Sequence, residues 1–164
     1  MRLLTLFFFS ISICLAQTDK KTYFTKKIED NLSPIIDGDI SDLAWNQVEW
    51  SSDFIEFQPE ENTQPTNQTK YKLLYDNNAV YIFVKSINDP NEIVNRLSRR
   101  DQLEGDAIMI GIDSNNDKLS SFMFCLSSAG TQVDMFASGN GDKEDESWNA
   151  VWYSKTKIVE DGWN

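Results

Sequence analysis

Apolar and polar residues alternate with a period of two through much of the chain, in short runs broken by Asn, Asp, Gly and Pro. Lys70 to Tyr75 and Ala79 to Ile87 are two such runs, separated by Asp76-Asn77-Asn78, residues that tolerate left-handed turn geometry. They predict a hairpin in which Tyr71, Leu73 and Tyr75 share one face, as do Val80, Ile82 and Val84. A second pair, Ala107 to Asp113 and Leu119 to Leu126, flanks the turn Ser114-Asn115-Asn116-Asp117. In the first of these runs Ile108, Ile110 and Ile112 occupy one face and Ala107, Met109 and Gly111 the other. The small residues predict a central strand covered on both sides and closely approached on one, with Asp106 and Asp113 at its two ends.

Further extended runs are Tyr23 to Ile28, Phe54 to Phe57, Thr131 to Phe136 and Trp152 to Val159. Polar loops are expected at Gln58 to Gln68, which holds Pro59 and Pro65, and at Ser138 to Glu146. Helical spacing is confined to a short piece capped by Ser41 and running through Asp42, Ala44, Trp45 and Val48, with Glu92 to Leu103 as the weaker candidate. Glu160-Asp161-Gly162 reads as a hairpin turn, and Trp163-Asn164 as the start of a returning strand. The expectation is all-β: a two-sheet antiparallel β-sandwich with a short helical segment, incomplete at the C-terminus and truncated before its last strands. A βαβ arrangement lacks its amphipathic crossover helices and a Gly-rich phosphate loop.

Met1 to Ala16 has the pattern of a secretory signal peptide: Arg2, an apolar run from Leu3 to Leu15, and Cys14-Leu15-Ala16 placing cleavage before Gln17. Lipoprotein processing at Cys14, disfavoured by the bulky Ile13, and a retained anchor are the alternatives. The expected organisation is a leader at 1–16, a lead-in with a possible first strand at 17–33, and a sandwich at 34–164. Removing the leader takes away Arg2 and shifts the formal net charge from −11 to −12. That acidity opposes binding to nucleic acid or anionic lipid, so neither nucleic-acid binding nor direct membrane insertion by the mature segment is expected. It is compatible with a neutral polymer or with calcium. Cys125 then stands alone, which excludes an intramolecular disulfide; within Phe122-Met123-Phe124-Cys125-Leu126 it reads as a buried small hydrophobe.

The chain contains no histidine, which removes Ser-His-Asp chemistry and His-based zinc sites. Paired carboxylates suit glycoside hydrolysis, and Glu104 with Asp106 is one pair among many that an acidic surface offers, so no pair is singled out. Asp113, Asn115 and Asp117 repeat the spacing that opens an EF-hand loop, but Lys118 takes the glycine position and Phe124 that of the final glutamate. The candidate calcium ligands are therefore Asp106, Asp113, Asn115 and Asp117, against the reading of a solvated turn. Trp148 and Trp152 fall on one side of a strand with Tyr153 beside them, and these three are the candidate sugar-stacking residues, against the reading of core filling. Asn67-Gln68-Thr69 matches a glycosylation acceptor.

Three groups of residues carry a family resemblance. They are Ile36-Asp37-Gly38-Asp39 with Ala44-Trp45; Tyr75-Asp76-Asn77-Asn78-Ala79-Val80-Tyr81-Ile82; and Glu104-Gly105-Asp106 through Ile112-Asp113. In this order and spacing the chain resembles the family 9 carbohydrate-binding modules and their DOMON-like relatives from about Pro34 to Asn164, with Gly162-Trp163 where such modules begin a near-terminal strand. The resemblance implies a β-sandwich, often attached to a secreted glycoside hydrolase. The pattern is similar to the exported N-terminal module of large bacterial proteins with a downstream outer-membrane-type barrel. A polysaccharide or oligosaccharide partner and a covalently continuous C-terminal domain are what it implies, in a periplasmic, outer-membrane-associated or secreted setting. The segment itself is expected to be noncatalytic, any hydrolase activity belonging to the larger protein. By the same resemblance Leu103 stands where a stacking tryptophan is expected, and Met109 where a polar acidic contact is expected. That departure favours, as the alternative, a structural or protein-interaction module without sugar binding.

Overall fold

The computed structural model describes residues 21–164, so the expected leader lies outside the described residues. Nine strands among these residues form two sheets in a sandwich-like arrangement: β1 (Lys26–Lys27), β2 (Gln68–Tyr75), β3 (Val80–Ile87), β4 (Ala107–Ile112), β5 (Ser121–Ser127), β6 (Gln132–Ser138), β7 (Lys143–Asp145), β8 (Ile158–Val159) and β9 (Gly162–Trp163). The first sheet has the order β1-β2-β3-β9-β8 and the second the order β4-β5-β6-β7. All pairings are antiparallel except β1 with β2, which run parallel with Lys26 opposite Leu74. No helix among the described residues is long and apolar enough to cross a membrane.

The β2–β3 hairpin forms where the alternation places it, with Tyr75 opposite Val80. Asp76 builds the turn. One carboxylate oxygen accepts the Asn78 and Ala79 N–H groups at 2.7 and 2.8 Å, and the other accepts the Ser33 and Tyr81 hydroxyls at 2.7 and 2.8 Å. These donors, the Asn78 amide first among them, hold the Asp76 carboxyl far below the usual carboxylate range. The face carrying Tyr71, Leu73, Ile82 and Val84 is only half-buried, and Tyr75 and Val80 are exposed.

The core lies on the hairpin's other face. Leu74 and Phe83 are buried there with Ile28, Ala44, Trp45 and Val48, the Trp45 and Phe83 rings 5.7 Å apart. Burial of a side chain of this size contributes about 1.5–3 kcal/mol. Lys72 shares this face and is itself buried: its ammonium donates to the Trp45 carbonyl at 2.7 Å and sits 5.1 Å from the centre of the Trp50 ring. A carbonyl and a π-face compensate the charge while the aliphatic stem packs.

Several expectations change. Tyr23 to Ile28 contributes only the two residues of β1 to a ladder. Trp45 sits in a 3-10 turn over Leu43–Gln47 whose N-cap is Asp42, with no side-chain cap hydrogen bond, so Ser41 caps nothing. Glu92 to Leu103 forms no helix, because its backbone bonds its neighbours: the Asp101 N–H reaches the Gln132 carbonyl, the Ser98 N–H the Thr131 hydroxyl, and the Val94 carbonyl accepts from Asp106. The Ser138 to Glu146 loop contains β7. Trp152 to Val159 enters a ladder only at β8. The Glu160-Asp161 turn does form a hairpin, with Ile158 opposite Trp163, and β9 pairs with β3 as well.

Candidate functional site

Among the described residues β4 is an edge strand, paired with β5 alone, and not the central strand that its composition predicts. Ile108 and Ile110 are half-buried while Met109 is 56 % exposed. Alternation fixes which residues share a face; it does not fix how many neighbours the strand has. On the Met109 face the ladder runs through Cys125 to Val133, and Gly111 pairs Met123, which pairs Met135. This face is apolar and thioether-rich. Leu103, 42 % exposed, adds another aliphatic group before the strand. Cys125 is buried, and desolvation pushes its thiol up, with Glu144 adding to the effect; it behaves as a small hydrophobe.

The expected calcium ligands fall in two places, at opposite ends of β4. Asp106 directly precedes β4 and makes a three-way corner: its carboxylate accepts the Val94 N–H at 3.3 Å, its N–H donates to the Val94 carbonyl at 3.1 Å, and its carbonyl accepts the Ser128 N–H at 2.8 Å. Gly105 makes the close approach possible. It has φ +79°, and a Cβ there would lie 2.0 Å from the Val94 carbonyl oxygen. Asp113, Asn115 and Asp117 sit together in the turn after the strand. The Asp113 carboxylate accepts the Asp117 and Lys118 N–H groups at 3.1 and 2.8 Å. Asp117 accepts the Leu119 and Ser120 N–H groups and the Ser120 hydroxyl, and the Leu119 amide leads the causes that lower its carboxyl pKa. No group of three or more Cys, Asp or Glu side chains among the described residues is placed to hold a metal ion.

The richest constellation lies on the other face of the same sheet. Residues 148–157 run as an extended strap, with Trp148, Ala150, Trp152, Ser154 and Thr156 more buried than the residues between them. Trp148 packs on Phe122 and Phe124 at ring separations of 4.9 and 5.8 Å, and Trp152 on Phe124 at 5.4 Å. The two tryptophans therefore share a side, as their spacing predicts, and that side faces protein. Tyr153 points the other way and is 83 % exposed.

Asp134 fastens the strap. This fully buried β6 carboxylate accepts the Ala150 N–H at 2.6 Å and the Trp152 indole N–H at 3.3 Å, and it pairs with the Arg100 guanidinium. Gln132, two residues earlier on the same face, accepts from Arg100 at 2.9 Å and donates to the Ser154 hydroxyl at 2.9 Å. Beside this clasp opens a polar cleft of about 410 Å³ lined by Leu97, Ser98, Arg100, Gly130, Thr131, Gln132 and Ser154. Arg100 is its cationic group, and Asp134 and Asp101 (3.7 Å) compensate that charge. The cleft is thus rich in hydroxyl, amide and N–H groups and carries no excess positive charge.

Arg100, Gln132 and Asp134 were absent from the sequence-based candidates. One signal existed: Asp134 interrupts Val133-Asp134-Met135-Phe136, a carboxylate on the face that also carries Phe136. Its partner, 34 residues earlier in an irregular segment, carried no sequence signal.

A family model described as carbohydrate family 9 binding domain-like matches residues 36–161. Comparison with curated proteins and with solved structures finds no match.

Proposed function

The chain belongs to the carbohydrate family 9 binding domain-like family, and from that premise we propose that it is a noncatalytic module that binds neutral glycan. The family match over residues 36–161 is the observation that carries this reading. The strap and cleft support it chemically: Tyr153 offers an exposed ring, and Arg100, Gln132, Ser98 and Ser154 offer donors and acceptors at one rim. Trp148 and Trp152 belong to this surface as its support, since their rings pack on Phe122 and Phe124. We assign the module to the cell exterior or periplasm on the leader-like residues 1–16, as one part of a larger exported protein concerned with glycan binding or breakdown.

Affinity electrophoresis through gels containing neutral polysaccharides tests the reading. Retardation by at least one polymer, weakened about tenfold in Tyr153→Ala, is the expected result. A folded protein that migrates freely through every polymer overturns it. The second reading, a protein-interaction module, is favoured by one observation: Leu103 and Met109 present apolar surface where the family resemblance expects sugar contacts. It predicts that Met109→Asp abolishes association with a partner while leaving any polysaccharide retardation intact.

A further inference from the structure

A second concavity, on the other sheet, has aromatic walls and a hydroxyl rim. The Ser51–Tyr71 bridge pins the loop before β2 to that strand through paired hydrogen bonds of 2.8 and 2.9 Å. The chain then arcs outward through Ser52 and Asp53 and returns at Phe54, with Asp53 in the left-handed region at φ 67°. Between this arc and Lys21 to Tyr23 lies a cavity of about 160 Å³ lined by Lys21, Thr22, Tyr23, Ser51, Ser52, Asp53, Phe54 and Tyr71. Tyr71 is the ring that the other two meet. The Tyr23 ring lies 5.2 Å from it at 40°, and the Phe54 ring 6.1 Å away at 69°, so the three rings make a notch.

The walls are held from behind. The Tyr23 hydroxyl donates to the Glu49 carbonyl at 2.7 Å and accepts the Leu73 N–H at 3.3 Å, and the Lys21 ammonium donates to the Asp53 carbonyl. Phe54 remains 41 % exposed. The Asp53 carboxylate takes part in none of the hydrogen bonds among the described residues. A volume well below the roughly 300 Å³ at which drug-sized sites begin suits one six-membered ring and no more.

We propose that the notch formed by Tyr23, Phe54 and Tyr71 is a separate site for a single pyranose ring. The C–H face of the sugar lies on the exposed Phe54 ring with the ring edge of the sugar against Tyr71, and two adjacent hydroxyls donate to the Asp53 carboxylate, with the Ser52 and Thr22 hydroxyls completing the rim. The ligand class rests on the carbohydrate-binding reading; the place rests on the notch itself, which lies apart from the strap and cleft.

The test is an amide chemical-shift titration of the full chain with methyl β-glucopyranoside and methyl β-xylopyranoside. Saturable shifts at Ser51 to Phe54 and Tyr71 with at least one probe, at dissociation constants on the order of millimolar, are expected. Phe54→Ala should weaken that binding about tenfold, and Asp53→Asn, which keeps the left-handed backbone accessible, about threefold. Tyr153→Ala should leave it unchanged. Absence of shifts with both probes, or unchanged affinity in Asp53→Asn and a folded Phe54→Ala, overturns the assignment. Polysaccharide retardation that depends on Tyr153 without notch shifts sinks the notch and leaves the proposed function standing; notch shifts without any retardation do the reverse.

Discussion

Asp134 shows how much one residue can decide. It is buried, charged and bound by three donors from two separate segments, so removing its acceptor oxygens releases Arg100, Ala150 and Trp152 together. Asp134→Ala should cost about 2–4 kcal/mol in urea unfolding and raise the exposure of Trp148 and Trp152 to fluorescence quenchers. Asp76 gives a pH dependence. Its folded-state pKa lies below the unfolded value, so its contribution is fully present above about pH 4 and is lost as pH falls through the folded value. Thermal melts between pH 2 and 7 should therefore show a shallower acid loss in Asp76→Asn than in the wild type. Asp113 and Asp117 lead to an expectation about calcium. An ion that takes roughly six to eight oxygens would compete with the backbone N–H groups these carboxylates already accept. Exchange of millimolar calcium for EDTA should leave the melting temperature unchanged; a rise with calcium would show that the folded protein binds the ion. The turn partners of Asp76, Asp113 and Asp117 lie within five residues and were legible in the sequence; the partners of Asp134, and Ser33 on Asp76, were not.

At the scale of elements, short-range pattern worked wherever both partners were adjacent in the chain. The β2–β3 hairpin, the β4–β5 pair and the Glu160-Asp161 turn follow from alternation and turn residues. The failures share a cause. The strap at 148–157 alternates like a strand but lies over a sheet face instead of joining a ladder, and Glu92 to Leu103 bonds to β6 and to the start of β4. Local periodicity is the same in each case; the distant partner differs. Glycines show where elements meet closely. At Gly162, φ is +142° and a Cβ would lie 1.9 Å from the Ser86 carbonyl oxygen, in the ladder that joins β9 to β3. Gly162→Ala should cost roughly 2–3 kcal/mol and deprotect the Ser86 and Trp163 amides to hydrogen exchange before the rest of β3.

For the molecule as a whole, acidity sets the terms of binding. On the proposed function, a chain with a formal net charge of −11 would hold neutral glycan through stacking and uncharged hydrogen bonds, which salt screens little. Retardation by a neutral polysaccharide should change less than about twofold between 50 and 500 mM NaCl, whereas polyuronates should not retard the protein at the lower salt. By itself the sequence determined the all-β class, the main hairpins, the buried Trp45 and the family motifs, because each depends on residues close together in the chain or on composition. Tertiary structure decided which hairpin face became core, that β4 lies at an edge, that Trp148 and Trp152 turn inward, and that Arg100 meets Asp134. It also brought Tyr23, Phe54 and Tyr71 around one notch. Those outcomes depend on contacts between segments tens of residues apart, and alternation is blind to such partners because either face of a strand can satisfy it.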